Sequence, residues 1–360
     1  MTVSKTLADW YNRNKRELPW RGTLTPYNIW LSEIILQQTR INQGYDYYLK
    51  FIESYPSVIK LAEAPIDEVL KLWQGLGYYS RARNLHETAQ KIAFEFQGEF
   101  PPTYCELIKL KGIGPYTAAA IASICFREPV PSIDGNVYRF LSRYFGIELS
   151  ITSGGGLKEY QNRAMSIMDQ NNPGNHNQAM IDFGALQCVP VHPDCNICPL
   201  KRSCYAYLHD MVKEFPPKQI KINLKKRYFN YLVIQLNSRF IIGQRTDNDI
   251  WKMLFEFPLI ETKKIISAIL LMKSKAWKEL FPVKTNLKIL NISDIYKHIL
   301  SHQVIYARFI RLETDKFPAV LSDKFMEVEK TDLGKYAIPR LIEKYLLTEL
   351  NKEKNNIVES

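Results

Sequence analysis

Through the first 210 residues apolar positions recur at three- and four-residue steps, and no stretch alternates as a sheet strand does. An opening helix is expected over residues 5–16, broken by Leu18-Pro19-Trp20-Arg21-Gly22. The next helix starts with Thr25 as cap and Pro26 at its first position, and carries Trp30, Leu31, Ile34 and Ile35 at helical spacing. Further helices are expected over 43–54, 66–73, 82–96 and 104–110, punctuated by Gly or Pro. This part of the chain therefore reads as all-α, in two helical lobes meeting at a cleft.

The pattern changes after residue 228. Tyr228 to Leu236 and Arg239 to Gln244 read as two strands joined by a turn at Asn237-Ser238, with another strand over 306–312 and helices over 266–273 and 339–347. Between the two regimes lie Pro216, Pro217 and five lysines or arginines with no apolar stripe. The expected organisation is a helical catalytic region over 1–214, a basic linker over 215–228, a strand-containing domain over 229–347 and a polar tail over 348–360. No internal repeat is visible.

A chain of 360 residues, 46% apolar, has material for two cores. Its 48 Lys+Arg against 37 Asp+Glu give a formal charge of +11, which favours a polyanionic partner. No apolar run has membrane length, and Met1 to Lys5 does not open a secretory leader. The expectation is a cytoplasmic protein, without a membrane partner and monomeric.

Leu110-Lys111-Gly112-Ile113-Gly114-Pro115-Tyr116-Thr117 places two glycines one residue apart between helical segments, where positive φ angles are expected at both. The small-faced helix that follows aims its first amides at one spot, which favours an anion such as a phosphate. Glu33 interrupts the apolar face formed by Ile29, Trp30 and Leu36. If buried, it has a raised pKa and can donate a proton; if not, it is an ordinary residue of an amphipathic helix. Asp134, ahead of the helical run Val137 to Leu141, reads as an N-cap.

Cys188, Cys195, Cys198 and Cys204 fall within seventeen residues and include a Cys-x-x-Cys pair, so a metal site is expected, with zinc and iron–sulfur both open on the thiolates alone. Cys105 and Cys125 read as small buried residues.

Leu-x-Gly-Ile-Gly-x-x-Thr-Ala, followed by Asp134-Gly135-Asn136, resembles the helix-hairpin-helix DNA glycosylases. With Leu31-Ser32-Glu33-Ile34-Ile35-Leu36-Gln37-Gln38-Thr39 and the cysteine spacing, the likeness is to the MutY-like adenine DNA glycosylases. The resemblance implies a mainly α, two-lobed helix-hairpin-helix fold with an Fe–S cluster loop, and a C-terminal α+β Nudix-like domain. It implies a [4Fe-4S] cluster on Cys188, Cys195, Cys198 and Cys204, and excision of adenine from A:8-oxoguanine or A:G mispairs in duplex DNA.

By the same resemblance Glu33 is the general acid and Asp134 the anion facing the sugar cation, with Asn136 orienting Asp134 or the water. Tyr116 stands where relatives that also cut the strand carry a lysine, which implies a monofunctional enzyme. Trp20 and Arg21 line the base pocket. Gln38 and Tyr78 match the family's wedge positions, and Lys111, Gly112 and Gly114 of the hairpin and Arg81 are expected to contact DNA, Arg81 on a phosphate unless it is simply solvated. Arg83, Lys201 and Arg202 are further candidates for phosphate.

Ile250 to Pro258 is similar to the Trp-Glu-Phe-Pro stretch of Nudix-type domains, with Phe255 in place of Trp and no box of clustered glutamates after it. Leu300-Ser301-His302 matches the lesion-recognition loop, with Leu300 in place of Phe. An endonuclease III-like glycosylase/lyase and a lesion binder without turnover are the alternatives.

Overall fold

The computed structural model describes residues 2–217, 224–281 and 286–350. The middle of the expected linker, 218–223, and the tail from 351 onward lie outside the described residues. In chain order the helices are α1 (Val3–Asn14), α2 (Pro26–Leu36), α3 (Ile41–Ser54), α4 (Val58–Glu63), α5 (Ile66–Leu72), α6 (Ser80–Glu95), α7 (Tyr104–Leu107), α8 (Pro115–Phe126), α9 (Gly135–Phe145), α10 (Gly156–Ser166), α11 (Pro173–Asp182) and α12 (Tyr205–Leu208). There follow β1 (Lys225–Leu236), β2 (Arg239–Gln244), β3 (Phe255–Glu256), β4 (Leu259–Thr262), α13 (Ala268–Met272), α14 (Lys275–Leu280), β5 (Leu287–Ile292), β6 (Tyr296–Ile299), β7 (Gln303–Thr314), β8 (Phe325–Glu329) and α15 (Arg340–Tyr345). Among the described residues no helix is long and apolar enough to cross a membrane.

Two compact units result, one of residues 2–63 with 84–217 and the other of 64–83 with 224–350. This departs from the linear division expected above, because α5 and the loop after it group with the sheet. Lys71 Nζ donates to Tyr336 O at 3.1 Å, Gln74 Nε2 to Glu343 Oε1 at 3.0 Å and Gln244 Nε2 to Asp67 Oδ1 at 2.8 Å. The expected linker also ends early, since β1 begins at Lys225.

In the helical unit the side chain of Thr25 caps α2 as expected, accepting from Asn28 N, with Pro26 in the first turn. The helix is buried nearly all round, from Tyr27 to Ile35, rather than along one face. A second core joins α1, α9, α10 and α11, with Phe183 edge-on to both Trp10 (5.0 Å) and Phe140 (5.1 Å). The spacing reading passed over α4, α10 and α11; Asn172-Pro173 at the head of α11 was the signal available for the last.

The other unit is an eight-stranded sheet in the order β3-β2-β1-β7-β5, with β4 on β1, β6 on β7 and β8 on β2. β1 and β7 run parallel, from Lys225 opposite Gln303 to Gln235 opposite Glu313. Phe229 to Ile234 are buried without a break, which is what a strand covered on both faces requires. Leu232 and Ile234 pack with Leu271 and Trp277 of α13 and α14. On the opposite face Tyr231 stacks on Phe309 (5.3 Å), and Phe309 on Tyr345 of α15 (4.0 Å).

Candidate functional site

A cavity of about 570 Å³ opens in the helical unit, walled by the loop before α2, by α2 itself, by the start of α8, by residues 132–136 and by α11. Its wall contains Trp20, Arg21, Glu33, Gln38, Gly114, Tyr116, Asp134 and Asn136, so eight of the residues singled out in the sequence meet at one place.

Glu33 is the only charged residue of α2. Burial pushes its carboxyl up to about 7; a hydrogen bond from Tyr116 pulls the other way, the charge of Asp134 adds to the rise and that of Arg21 opposes it. The Tyr116 phenol is held well above its ordinary pKa, first by burial and then by the two neighbouring carboxylates, and stays neutral.

Asp134 caps α9. Its Oδ1 accepts from Asn136 N (2.9 Å) and Val137 N (2.8 Å), and its Oδ2 from Asn136 Nδ2 (2.7 Å). Burial raises this carboxyl above its usual value, while hydrogen bonds from Val137 and Asn136 and the charge of Arg139 act against the rise. Asn136 is held in turn, its Oδ1 accepting from Arg139 Nη2 at 3.0 Å.

The hairpin departs from expectation at one glycine. Gly112 has φ +77°, and a Cβ there would stand 2.7 Å from Cβ of Asn84. Gly114, however, is extended (φ −87°) at the cap position of α8, with open space where a Cβ would be. Its conformation is open to any residue, and a Cβ there would meet nothing within 4 Å. Lys111 lies on the exposed side of the turn and pairs with Glu87 at 2.5 Å.

Three residues of the cavity region were not anticipated. Asp182, fully buried at the end of α11, accepts from Arg16 Nε (2.9 Å) and from Arg21 Nη1 (2.7 Å) and Nη2 (3.0 Å). Burial alone would raise Asp182, but hydrogen bonds and charge from Arg21 and Arg16 outweigh it and hold the carboxyl below its usual range. Arg21 thus reaches the cavity as half of a buried ion pair. Gln178, also in the wall, accepts from the Tyr11 hydroxyl at 2.8 Å.

Tyr78, Arg81, Arg83 and the 300–302 turn belong to the sheet unit. In the sheet unit Tyr78 is 47% exposed with φ +48°, a left-handed conformation uncommon for a side chain of its size. Arg81 is a correction. Instead of facing solvent it is buried, with Nη2 donating to Gly77 O at 3.2 Å and the guanidinium 5.0 Å from the Trp73 ring, so it holds the loop that presents Tyr78. Arg83 likewise donates to Lys252 O (2.9 Å). Gln38 is exposed, with φ +57°. Leu300-Ser301-His302 forms the turn between β6 and β7, its ends held by Leu300 N to Gln303 O (2.8 Å) and Lys225 N to His302 O (3.2 Å), with Ser301 and His302 exposed.

Cys188, Cys195, Cys198 and Cys204 line one small cavity of about 30 Å³ with Phe140, Leu200 and Val212, and Arg143 Nη1 lies 3.4 Å from Cys188 Sγ. Four sulfurs around one apolar space beside a guanidinium suit a thiolate-bound group, although among the described residues no three His, Cys, Asp or Glu side chains meet as a ready-made single-ion site. Lys201 turns back on this loop, donating to Asn196 O. Cys105, expected to be buried, is exposed, because the four-residue α7 buries only Leu107.

Known proteins resemble this chain in sequence and fold. Residues 31–154 match the HhH-GPD superfamily base excision DNA repair protein family, and residues 230–348 the NUDIX domain. Adenine DNA glycosylase from Buchnera aphidicola subsp. Baizongia pistaciae is 38% identical over 311 residues, covering 84% of this chain and 83% of that protein. The Homo sapiens adenine DNA glycosylase is 39% identical over 210 residues, 56% of this chain and 38% of that one. Among solved structures, a thermostable thymine-DNA glycosylase superposes with a TM-score of 0.53 at 28% identity, covering 57% of this chain and 95% of that one. An endonuclease III–DNA complex does so at 0.50 and 22% identity, over 58% and 94%, a likeness of fold.

Proposed function

This chain belongs to the adenine DNA glycosylase family, and from that premise we propose that it releases adenine standing opposite 8-oxoguanine or guanine in duplex DNA. It is a base-excision repair glycosylase, a hydrolase of N-glycosyl bonds acting on adenine. It acts as a monomer in the cytoplasm and leaves the strand uncut.

The observation that carries the reading is Glu33, alone among the apolar residues of α2, hydrogen-bonded by Tyr116 and raised to about 7. A carboxyl in that range is protonated often enough near neutrality to deliver a proton to the departing base, and ionises readily afterwards. The glycosidic bond breaks with its electrons leaving on the base, which the Glu33 proton neutralises. Asp134, accepting three hydrogen bonds that favour its charged form, faces the sugar cation that remains, and water completes it. A neutral phenol at Tyr116 cannot form the imine on which strand cleavage depends, so the product is an abasic site. Endonuclease III-like lyase chemistry is disfavoured for that reason, and a binder without turnover has no use for Glu33 so placed.

The adenine must leave the stack to enter the cavity. Gln38, Tyr78, Lys111, Gly112 and Gly114 are the proposed DNA contacts, and Leu300, Ser301 and His302 the proposed readers of the oxidised base. Cys188, Cys195, Cys198 and Cys204 would hold a [4Fe-4S] cluster, which when bound closes the 188–204 loop through four thiolate bonds.

The test is a single-turnover assay on duplexes carrying A opposite 8-oxoguanine or guanine. Adenine release without coupled nicking is expected, and efficient nicking by the unmodified protein would return the lyase alternative.

A further inference from the structure

Among the described residues, Ser132 is the one residue of the large cavity wall whose buried side-chain polar atom has no hydrogen-bond partner. The residue is 0% exposed, and it stands two positions before Asp134. Its place is fixed from behind. Ser132 N donates to Asn177 Oδ1 at 3.1 Å, and Asn177 Nδ2 donates to Ser123 Oγ (2.9 Å) and to Val130 O (2.9 Å). One amide on α11 therefore ties α8 to the segment that carries Ser132 and Asp134.

An unpaired buried hydroxyl destabilises a free protein, and an alanine in its place would not. Such a group is useful when something entering the cavity completes it. Adenine fits the chemistry: its ring nitrogens accept, its exocyclic amine donates, and a serine hydroxyl does both.

We propose that Ser132 is a further base-contacting residue, a small shift on binding bringing its hydroxyl, closed to solvent in the free protein, to hydrogen-bond the adenine held in the cavity, either directly or through one water. This rests on the glycosylase reading above.

The experiment compares the parent, Ser132→Ala and Ser132→Cys by single-turnover adenine release and by thermal unfolding of the free proteins. Ser132→Ala is expected to slow release by roughly 2- to 10-fold, the effect of one neutral hydrogen bond, while the unfolding temperature stays level or rises. Ser132→Cys, similar in size but a weaker donor, should fall between. Purine substrates lacking one ring nitrogen separate the two modes. If one analogue is released equally by parent and Ser132→Ala, the contact is direct; if every analogue shows the same loss, a water carries it.

Release by Ser132→Ala at the parent rate would overturn the proposal, as would a loss that merely follows a fall in unfolding temperature. If the parent itself released no adenine, the glycosylase reading would fail and take this proposal with it; equal parent and variant rates overturn the proposal alone.

Discussion

The helical unit and the sheet unit both bury carboxylates, but they treat them differently. In the sheet unit Arg245 Nη1 binds both oxygens of Glu256 (2.8 and 2.9 Å) while its Nη2 reaches Asp249 Oδ2 at 2.7 Å. Arg227 takes Glu261 with two nitrogens (2.7 and 2.6 Å) and Asp249 with a third (2.9 Å), and its guanidinium lies 4.7 Å from the Phe229 ring. Each of these acids, of which Glu256 alone is buried, is matched by a guanidinium, as the buried Asp182 is by Arg16 and Arg21 in the helical unit. Glu33 has a neutral phenol as its hydrogen-bonding partner, and its carboxyl rises to about 7. Burial raises the Glu256 carboxyl too, but there a bonded guanidinium opposes the rise; the matched charge serves the structure, whereas Glu33, bonded only by a phenol, holds a proton that can be given away.

The strongest challenge to that contrast is Glu33→Gln, which keeps size and removes the proton. Adenine release should fall by roughly 10²- to 10⁴-fold in single turnover, with duplex binding retained. Near-parent excision would remove Glu33 from the mechanism. The same variant should be more stable than the parent at pH 8. A folded-state pKa raised above the unfolded value of 4.5 means that the stability contributed by the protonated form is present below that value and lost as pH rises to about 7. A glutamine escapes the loss, for a gain of about 1–3 kcal/mol by thermal unfolding.

Arg245→Met tests the other side. It strands Glu256, while Asp249 keeps Arg227, and breaking the matched buried pair should destabilise the protein by about 3–5 kcal/mol in denaturant unfolding, with adenine release by the folded protein near the parent value. A stability loss below ~1 kcal/mol would mean that the network is solvated and the contrast overdrawn.

A third expectation is the pH profile. Because Glu33 must be protonated, single-turnover release should decline as pH rises through about 7. A flat profile from pH 6 to 9 would contradict proton donation by this group.

The smallest effects separate the two hairpin glycines. Gly112→Ala meets positive φ and the Asn84 side chain and should destabilise by about 1–2 kcal/mol or more. Gly114→Ala should leave stability nearly unchanged, so any weakening of DNA binding would report on the close approach of DNA to this position. Equal destabilisation by both would show that Gly114 is needed for its conformation after all.

Sequence by itself determined the local terms. Thr25-Pro26 starts α2, Asp134 caps α9, and the spacing of apolar residues separates a helical part from a stranded one, because caps, prolines and side-chain periodicity act within a few residues of chain. The motif resemblance also identified the family and eight of the residues that line the cavity. Tertiary structure decided how each charge is met. Nothing near Asp182 in sequence foretells Arg16 and Arg21, which lie 166 and 161 residues away, and Arg81 resembles a free cation until Trp73 and the Gly77 carbonyl are placed around it. Likewise only the fold brings Tyr116 to Glu33 and leaves Ser132 unpaired beside Asp134. The physical reason is that burial and pairing belong to a position in space: one carboxyl falls below or rises above its solution pKa according to what distant segments bring against it.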